Sequence, residues 1–278
     1  MRNKLTLFLV LILSAMLLLA GCGTSSDSAS GSNDDNTFKV GMEAGYAPFN
    51  WTQNDDSNGA VKIEGSSEYA GGYDVEIAKK VAEGLGKELV IVKTEWDGLV
   101  PGLVSGKIDA IIAGMSPTAE RKETIDFSGN YYTSNLVMVV KKGSEFENAT
   151  SIQDFKGAKI TAQLNTFHYS VIDQINSVEK KTAMDNFPAM RVALESGVID
   201  GYVSERPEGI SASTANDKFV MVEFKDGFKT SEEETTTAVG LQKGSDLTEK
   251  INKILADIPE EERTSMMDNA IKNQPAAE

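Results

Sequence analysis

From residue 38 onward, apolar positions fall into short runs and one-sided stripes that alternate along the chain. "FKVGMEAGYAPFNW", Phe38 to Trp51, begins as a strand and breaks at Pro48, which has no N–H for a ladder. "TQNDDSNGAVKIEGSSEY" is polar and rich in turn formers, so it reads as a surface loop or ribbon. Asp74 then predicts a helix N-cap, with Val75, Ala78, Val81 and Leu85 on one face and Gly86 ending it. "LVIVKTEW" reads as a buried strand. A short helix carrying Leu99, Val100, Leu103 and Val104 leads into "KIDAIIAG", and another helix begins near Thr118. After "FSGNYYTSNLVMVVKKG" the pattern restarts with the strand "GAKITAQ", a helix capped by Thr166, the helix "PAMRVALESG" with Pro188 in its first turn, and the strand "VIDGYVS". "KFVMVEF", a Glu/Thr-rich loop, the strand "TTAVGLQK" and two helices follow. Their core candidates are Ile251, Ile254, Leu255, Ile258, Met266 and Met267. Strands alternating with helices at these lengths predict an α/β fold with mostly parallel sheets covered on both faces.

One stretch occurs twice. "LVSGKIDAIIAGMSPTAER" begins at Leu103, and "LESGVIDGYVSERPEGI" begins at Leu194, 91 positions later. Each copy shares Leu-x-Ser-Gly-x-Ile-Asp and reads as a helix ended by a glycine (Gly106, Gly197), a tight turn, and a strand feeding a loop. Two copies predict two similarly built lobes. Ligands of open α/β sheets sit at loops beyond the carboxyl ends of strands, which places Gly114–Arg121 and Ser204–Glu208 at a candidate site. Because a strand pattern resumes after the second copy, the chain is expected to cross between the lobes twice, near residues 133–137 and 224–236, and to hinge there.

Ahead of this pattern the chain has a different character. Arg2 and Lys4 precede an apolar run from Leu5 to Ala20, and "LAGC" ends it with small residues before Cys22, the single cysteine. The run is short of the ~20 apolar residues of a spanning helix. "LAGC" resembles the lipobox of bacterial lipoproteins. That implies a signal peptide over residues 1–21, lipid attachment at Cys22, and an extracytoplasmic, membrane-anchored protein. Residues 22–37 contain no large apolar side chain beyond Cys22 and read as a flexible tether. The formal charge is −15, and loss of the two cations in the signal takes it to −17. Such a balance argues against nucleic acid or an anionic membrane face as a partner. With one histidine and one cysteine, nucleophilic catalysis and a histidine-rich metal site find no support, and no metal or cofactor is expected.

"VGMEAGYAPFNW", "GGYDVEIAKKVAEGLG", "TEWDGLVPGLVSGKIDAIIAGMSPTAERKETIDFSGNYY" and "GVIDGYVSERP" together resemble the polar amino-acid solute-binding proteins, family 3, of ABC importers. The resemblance implies a periplasmic-binding-protein-like fold of type II. Lobe I would be 38–133 plus 227–278 and lobe II 134–226, joined by a two-strand hinge. It implies a monomer that delivers a free amino acid to a permease. Residue by residue, Arg121 would clamp the ligand α-carboxylate, helped by Ser116 and by backbone at Thr166 and Phe167. Glu205 would take the α-ammonium, helped by the loop of Gly114 and Ser116. Glu43 would face the ligand side chain, flanked by Tyr46 and Trp96, and Ala113, Met115, Gln163 and Asn165 complete the implied set. Asn165 stands where the family commonly has glycine, and Glu43 and Glu205 stand where it usually has aspartate.

A charge count bears on the ligand. Arg121 brings one positive charge, while Glu43 and Glu205 bring two negative ones, and a zwitterion adds none. A lysine or arginine ligand balances the cleft and lets its cation lie between Tyr46 and Trp96. A neutral Glu43 would instead suit glutamine, histidine or another polar amino acid. Taken singly, Tyr46 and Trp96 read equally well as core, and His168, two positions beyond Thr166, could touch the pocket rim but reads by default as a helix-surface residue. Two other classes share the pattern: a cyclohexadienyl dehydratase of the same fold, and a signalling ectodomain or adhesin.

Overall fold

The computed structural model describes residues 36–275, so the expected signal peptide, Cys22 and nearly all of the expected tether lie outside the described residues. Among the described residues no helix is long and apolar enough to cross a membrane.

Two five-stranded sheets carry the chain. The first is built from β1 (Thr37–Met42), β6 (Glu88–Lys93), β7 (Ala110–Ile111), β8 (Asp126–Thr133) and β14 (Thr236–Leu241), in the order β6-β1-β7-β14-β8. The second uses β9 (Leu136–Lys141), β10 (Lys159–Thr161), β11 (Glu179–Lys180), β12 (Gly201–Glu205) and β13 (Phe219–Val222), in the order β11-β10-β12-β9-β13. The expected parallel pairing holds for β6-β1-β7 and β11-β10-β12. The remaining strands join antiparallel, so each sheet is mixed. Antiparallel pairing follows from the two crossings, because β8 runs through Ser134 and Asn135 directly into β9, and the chain returns from β13 to β14. The crossings are tied together where Ser134 N donates to Thr235 O at 2.8 Å.

The repeated motif does the same structural work in both sheets. Gly106 (φ 74°) and Gly197 (φ 77°) adopt the left-handed conformation behind helices α2 (Trp96–Val104) and α5 (Phe187–Ser196). The next N–H reaches back five residues each time, Lys107 to Gly102 O at 2.9 Å and Val198 to Ala193 O at 3.0 Å, which completes a helix stop. Asp109 and Asp200 then each accept a backbone N–H of the neighbouring parallel strand, from Lys39 and Lys159, both at 2.8 Å. A carboxylate at this point fixes the register of the new strand against its parallel neighbour. Ile108 and Ile199, just before them, are buried in the core.

Elsewhere the elements differ in detail from the sequence reading. The polar stretch after Trp51 is a small antiparallel sheet of β2 (Gly45–Tyr46), β3 (Asn50–Gln53), β4 (Val61–Lys62) and β5 (Tyr69–Gly71). Helix α1 (Tyr73–Gly84) is capped by Gly72 rather than Asp74. Gly72 has φ 120°, and a Cβ there would lie 2.4 Å from Phe49 O, so no aspartate fits the cap. Strand β6 ends at Lys93, and Trp96 opens α2. Helices α3 (Ala119–Thr124), α4 (Phe167–Val171), α6 (Arg206–Ala215), α7 (Leu247–Ala256) and α8 (Glu260–Asn273) complete the set.

Candidate functional site

The carboxyl ends of both sheets' central strands open toward one cleft. Its walls include Tyr46, Trp96, Gly114, Ser116 and Arg121 from the first sheet's side and Gln163, Thr166, Phe167 and His168 from the second's. The cleft holds a cavity of about 10 Å3, room for roughly one water. A molecule the size of an amino acid enters only when the walls part.

Arg121 lies in the first turn of α3, whose N-cap Thr118 accepts from Arg121 N at 3.4 Å. Its Nη1 donates to Ser116 O at 2.9 Å, and its Nη2 reaches across the cleft to Asn165 O at 3.1 Å. The guanidinium lies over the Trp96 ring, 5.0 Å from its centroid. Burial pulls its pKa down to about 10, partly opposed by Glu120 and Glu205, so it keeps its charge at neutral pH.

Glu205 ends β12 and is 2% exposed. Its Oε2 accepts from the Tyr46 hydroxyl across the cleft, and its Oε1 lies 3.8 Å from His168 Nε2. That separation is too long for a hydrogen bond, and both ring nitrogens of buried His168 have no partner. The surface position expected for His168 is therefore wrong: α4 has only five residues, and Phe167 and His168 both face inward.

Glu43 follows β1 and is 8% exposed. Gln163 Nε2 donates to its Oε1 at 3.0 Å, while its Oε2 is buried without a partner. Burial raises its pKa to about 7. The Gln163 hydrogen bond opposes this, and Glu95 and Asp97 add to it.

The structure also corrects how the aromatic residues are used. Tyr46 does not offer a free face to pair with Trp96. Phe49 stacks on it at 4.8 Å and Phe187 at 4.4 Å between centroids, so its polar end alone is presented. The cation over Trp96 is Arg121 itself. Ala113 and Met115 are core residues behind the loop, 1% exposed, and like Glu43, Asn165 and Glu205 they are not among the residues lining the cavity. The Ser116 hydroxyl donates to Glu234 O at 2.9 Å and the Thr166 hydroxyl to Gln163 O at 2.7 Å, which leaves their loops fastened rather than free. Asn165 sits at φ 54°, the region that favours glycine and tolerates asparagine, which explains the exchange at this position. Its side chain donates to Asp97 at 2.9 Å, a second contact across the cleft. Sequence reasoning missed Phe49 and Phe187 as walls of the Tyr46 slot. "APFNW" and "NFPAM" hold them in plain view, but nothing local says that they meet.

Residues 38–270 match the bacterial extracellular solute-binding proteins, family 3. Among similar proteins is a probable histidine-binding protein of Campylobacter jejuni, 32% identical over 225 residues, which covers 76% of this chain and 80% of that one. The arginine-binding extracellular protein ArtP of Bacillus subtilis is 28% identical over 87% of this chain and 91% of its own. The L-cystine-binding protein TcyJ of Escherichia coli K12 is 31% identical over 88% and 87%. A crystal structure of an amino acid ABC transporter substrate-binding protein from Streptococcus pneumoniae, bound to L-arginine, superposes with a TM-score of 0.75 at 26% identity. It covers 86% of this chain and 95% of that one.

Proposed function

The chain belongs to the bacterial extracellular solute-binding proteins, family 3, and from that premise we propose that it captures a polar L-amino acid between two lobes and presents it to an ABC permease. It is a binding protein and not an enzyme, with the two-lobe α/β fold of type II. The observation that carries the ligand reading is Arg121 lining one cleft with Tyr46 and His168, behind which Glu205 accepts from the Tyr46 hydroxyl and lies 3.8 Å from His168. A guanidinium and a carboxylate brought from opposite walls suit the two ends of a zwitterion. Lobe I is assigned to 38–133 plus 227–278 and lobe II to 134–226, closing about the two crossings as a monomer.

Glu43 decides the side chain. Its Oε2 is a buried acceptor without a partner, which supports a cationic amino acid, lysine or arginine. The burial that raises its pKa to about 7 favours a second reading, a neutral polar side chain such as that of glutamine or histidine. Calorimetric titration with L-arginine, L-lysine, L-histidine, L-glutamine and L-cystine tests both readings. Binding of none of them would overturn the proposal. The signal and "LAGC" support lipid anchoring through Cys22 outside the cytoplasm. Detergent-phase partitioning of the expressed protein, abolished by Cys22→Ala, checks it.

A further inference from the structure

Two motifs, "GGYD" and "FSGNYY", contribute no group to the cleft, yet both meet directly behind it. Asp74, the second residue of α1, is fully buried. Its Oδ2 accepts from Asn50 Nδ2 at 2.8 Å and its Oδ1 accepts from the Tyr131 hydroxyl at 2.8 Å. The same Tyr131 oxygen accepts the Gly114 N–H at 3.1 Å. Among the described residues no ion pair reaches this carboxylate, so its compensation for burial is the hydrogen bonds from Asn50 and Tyr131, with the Gly114 N–H also close enough to lower its pKa. Gly114 cannot be held by a side chain of its own. It sits at φ 62°, and the space a Cβ would need is filled by the Tyr46 ring, with Cε1 2.7 Å away.

We propose that Asp74 and Tyr131 are positioning residues for the ligand cleft, fixing the Gly114–Ser116 loop from behind through a carboxylate–phenol–amide chain of hydrogen bonds. The phenol has one proton, which it gives to Asp74, so its oxygen must face Gly114 as an acceptor. The negative charge draws that proton and makes the oxygen a stronger acceptor for the amide. Two cleft groups depend on the loop so held. Arg121 Nη1 donates to Ser116 O, and the Tyr46 ring, whose hydroxyl meets Glu205, packs against Gly114. The chain explains why an acid is kept in a core with no cation beside it. It rests on the reading that this loop walls the ligand site, but the hydrogen-bond relay itself is measurable without any ligand.

The titratable and charged groups that face Asp74 are Tyr73 on its own helix, Tyr131 from β8, Tyr46 from β2 and Glu205 from β12. Burial holds the Asp74 pKa near 6 and raises those of all three tyrosines above their ordinary value, so none of the phenols titrates with the carboxyl. Protonation at Oδ2 is met by a flip of the Asn50 amide, whose Oδ1 has no partner. The fold therefore survives while the charge that polarises Tyr131 disappears.

The test follows the Gly114 amide proton of the ligand-free protein by NMR between pH 5 and 8. In the wild type its shift moves upfield as pH falls, with a midpoint near 6. In Asp74→Asn that titration vanishes, and in Tyr131→Phe, which leaves Gly114 N–H only its direct interaction with Asp74, its amplitude falls by at least about half. Loss of one such hydrogen bond weakens L-arginine, L-histidine or L-cystine binding roughly two- to tenfold in Tyr131→Phe, and less in Asp74→Asn, which keeps a neutral acceptor. A merely structural role would lower the melting temperature and leave the Gly114 shift unmoved. A Gly114 signal indifferent to Tyr131→Phe overturns the proposal, as does unchanged affinity in a Tyr131→Phe protein whose wild type binds. Should Asp74→Asn fail to fold, the isosteric Tyr131→Phe decides alone. A Gly114 titration in a wild type that binds none of the three amino acids supports the relay and sinks the ligand reading instead.

Discussion

Glu43 makes the sign of a pH dependence report the ligand class. Its folded pKa of about 7 stands above the ordinary 4.5, chiefly through burial. As a raised acid, it contributes stability that is fully present below pH 4.5 and lost as pH rises through 7, in all about 3 kcal/mol. A cationic ligand side chain needs the ionised carboxylate. Below pH 7 each bound cation must first expel a proton, at about 1.4 kcal/mol per pH unit. L-arginine affinity should therefore fall about tenfold from pH 8 to pH 6, with about one proton released per ligand at pH 6 and almost none at pH 8. A neutral side chain that accepts from a protonated Glu43 predicts the opposite slope. Titration calorimetry at pH 6, 7 and 8, in buffers of different ionisation heat, counts the protons directly. Glu43→Gln removes the part of either slope centred on pH 7, leaving at most the smaller contribution of Asp74 near pH 6, and it costs a cationic ligand roughly 1.5–3 kcal/mol at pH 8, the worth of a charge-assisted hydrogen bond. L-arginine binding that is insensitive both to pH and to Glu43→Gln would refute the role given to this residue.

Arg121→Lys removes the fork that reaches Ser116 O and Asn165 O together. Every amino acid that binds should lose at least about tenfold in affinity by calorimetry, with the melting temperature little changed. Gly114→Ala forces a side chain into the left-handed region and toward the Tyr46 ring, 2.7 Å away. Chemical denaturation should show a loss of at least about 1–2 kcal/mol, and ligand binding should fail. Glu208 is fully buried and accepts from Arg191, Tyr202 and Ser204. Glu208→Ala leaves the Arg191 charge uncompensated and should destabilise the protein by about 3–5 kcal/mol in urea titration.

What could be read in the residues, and what could not, divides by distance along the chain. The Leu-x-Ser-Gly-x-Ile-Asp repeat was legible because a glycine stop, a buried isoleucine and an aspartate that fixes strand register all act within about six residues of one another. The two crossings were legible because a strand pattern resumed after the second copy. Asp74 misled because aspartate is a favoured N-cap, and the true cap is set by the backbone of Phe49, some 23 positions upstream of Gly72 in the sequence. His168 misled for a similar reason: five helical residues carry too little periodicity to reveal a buried face, and one of its neighbours in that face is Glu205, 37 positions on.

The charge count shows the same limit in energetic form. Counting Arg121 against Glu43 and Glu205 treats each as a full charge, which holds for groups in water. In the structure Arg121 and Glu43 separate by environment. Arg121 stays charged because burial lowers its pKa only to about 10. Glu43 has an amide donor on one oxygen and nothing on the other, so at neutral pH its charge is half spent. The balance that selects a ligand therefore depends on pH as well as on composition. A cation arriving beside Glu43 supplies the missing partner and draws the carboxyl back to its ionised form. On the proposed reading of Glu43, discrimination between cationic and neutral amino acids would then run through one proton rather than through the shape of the pocket.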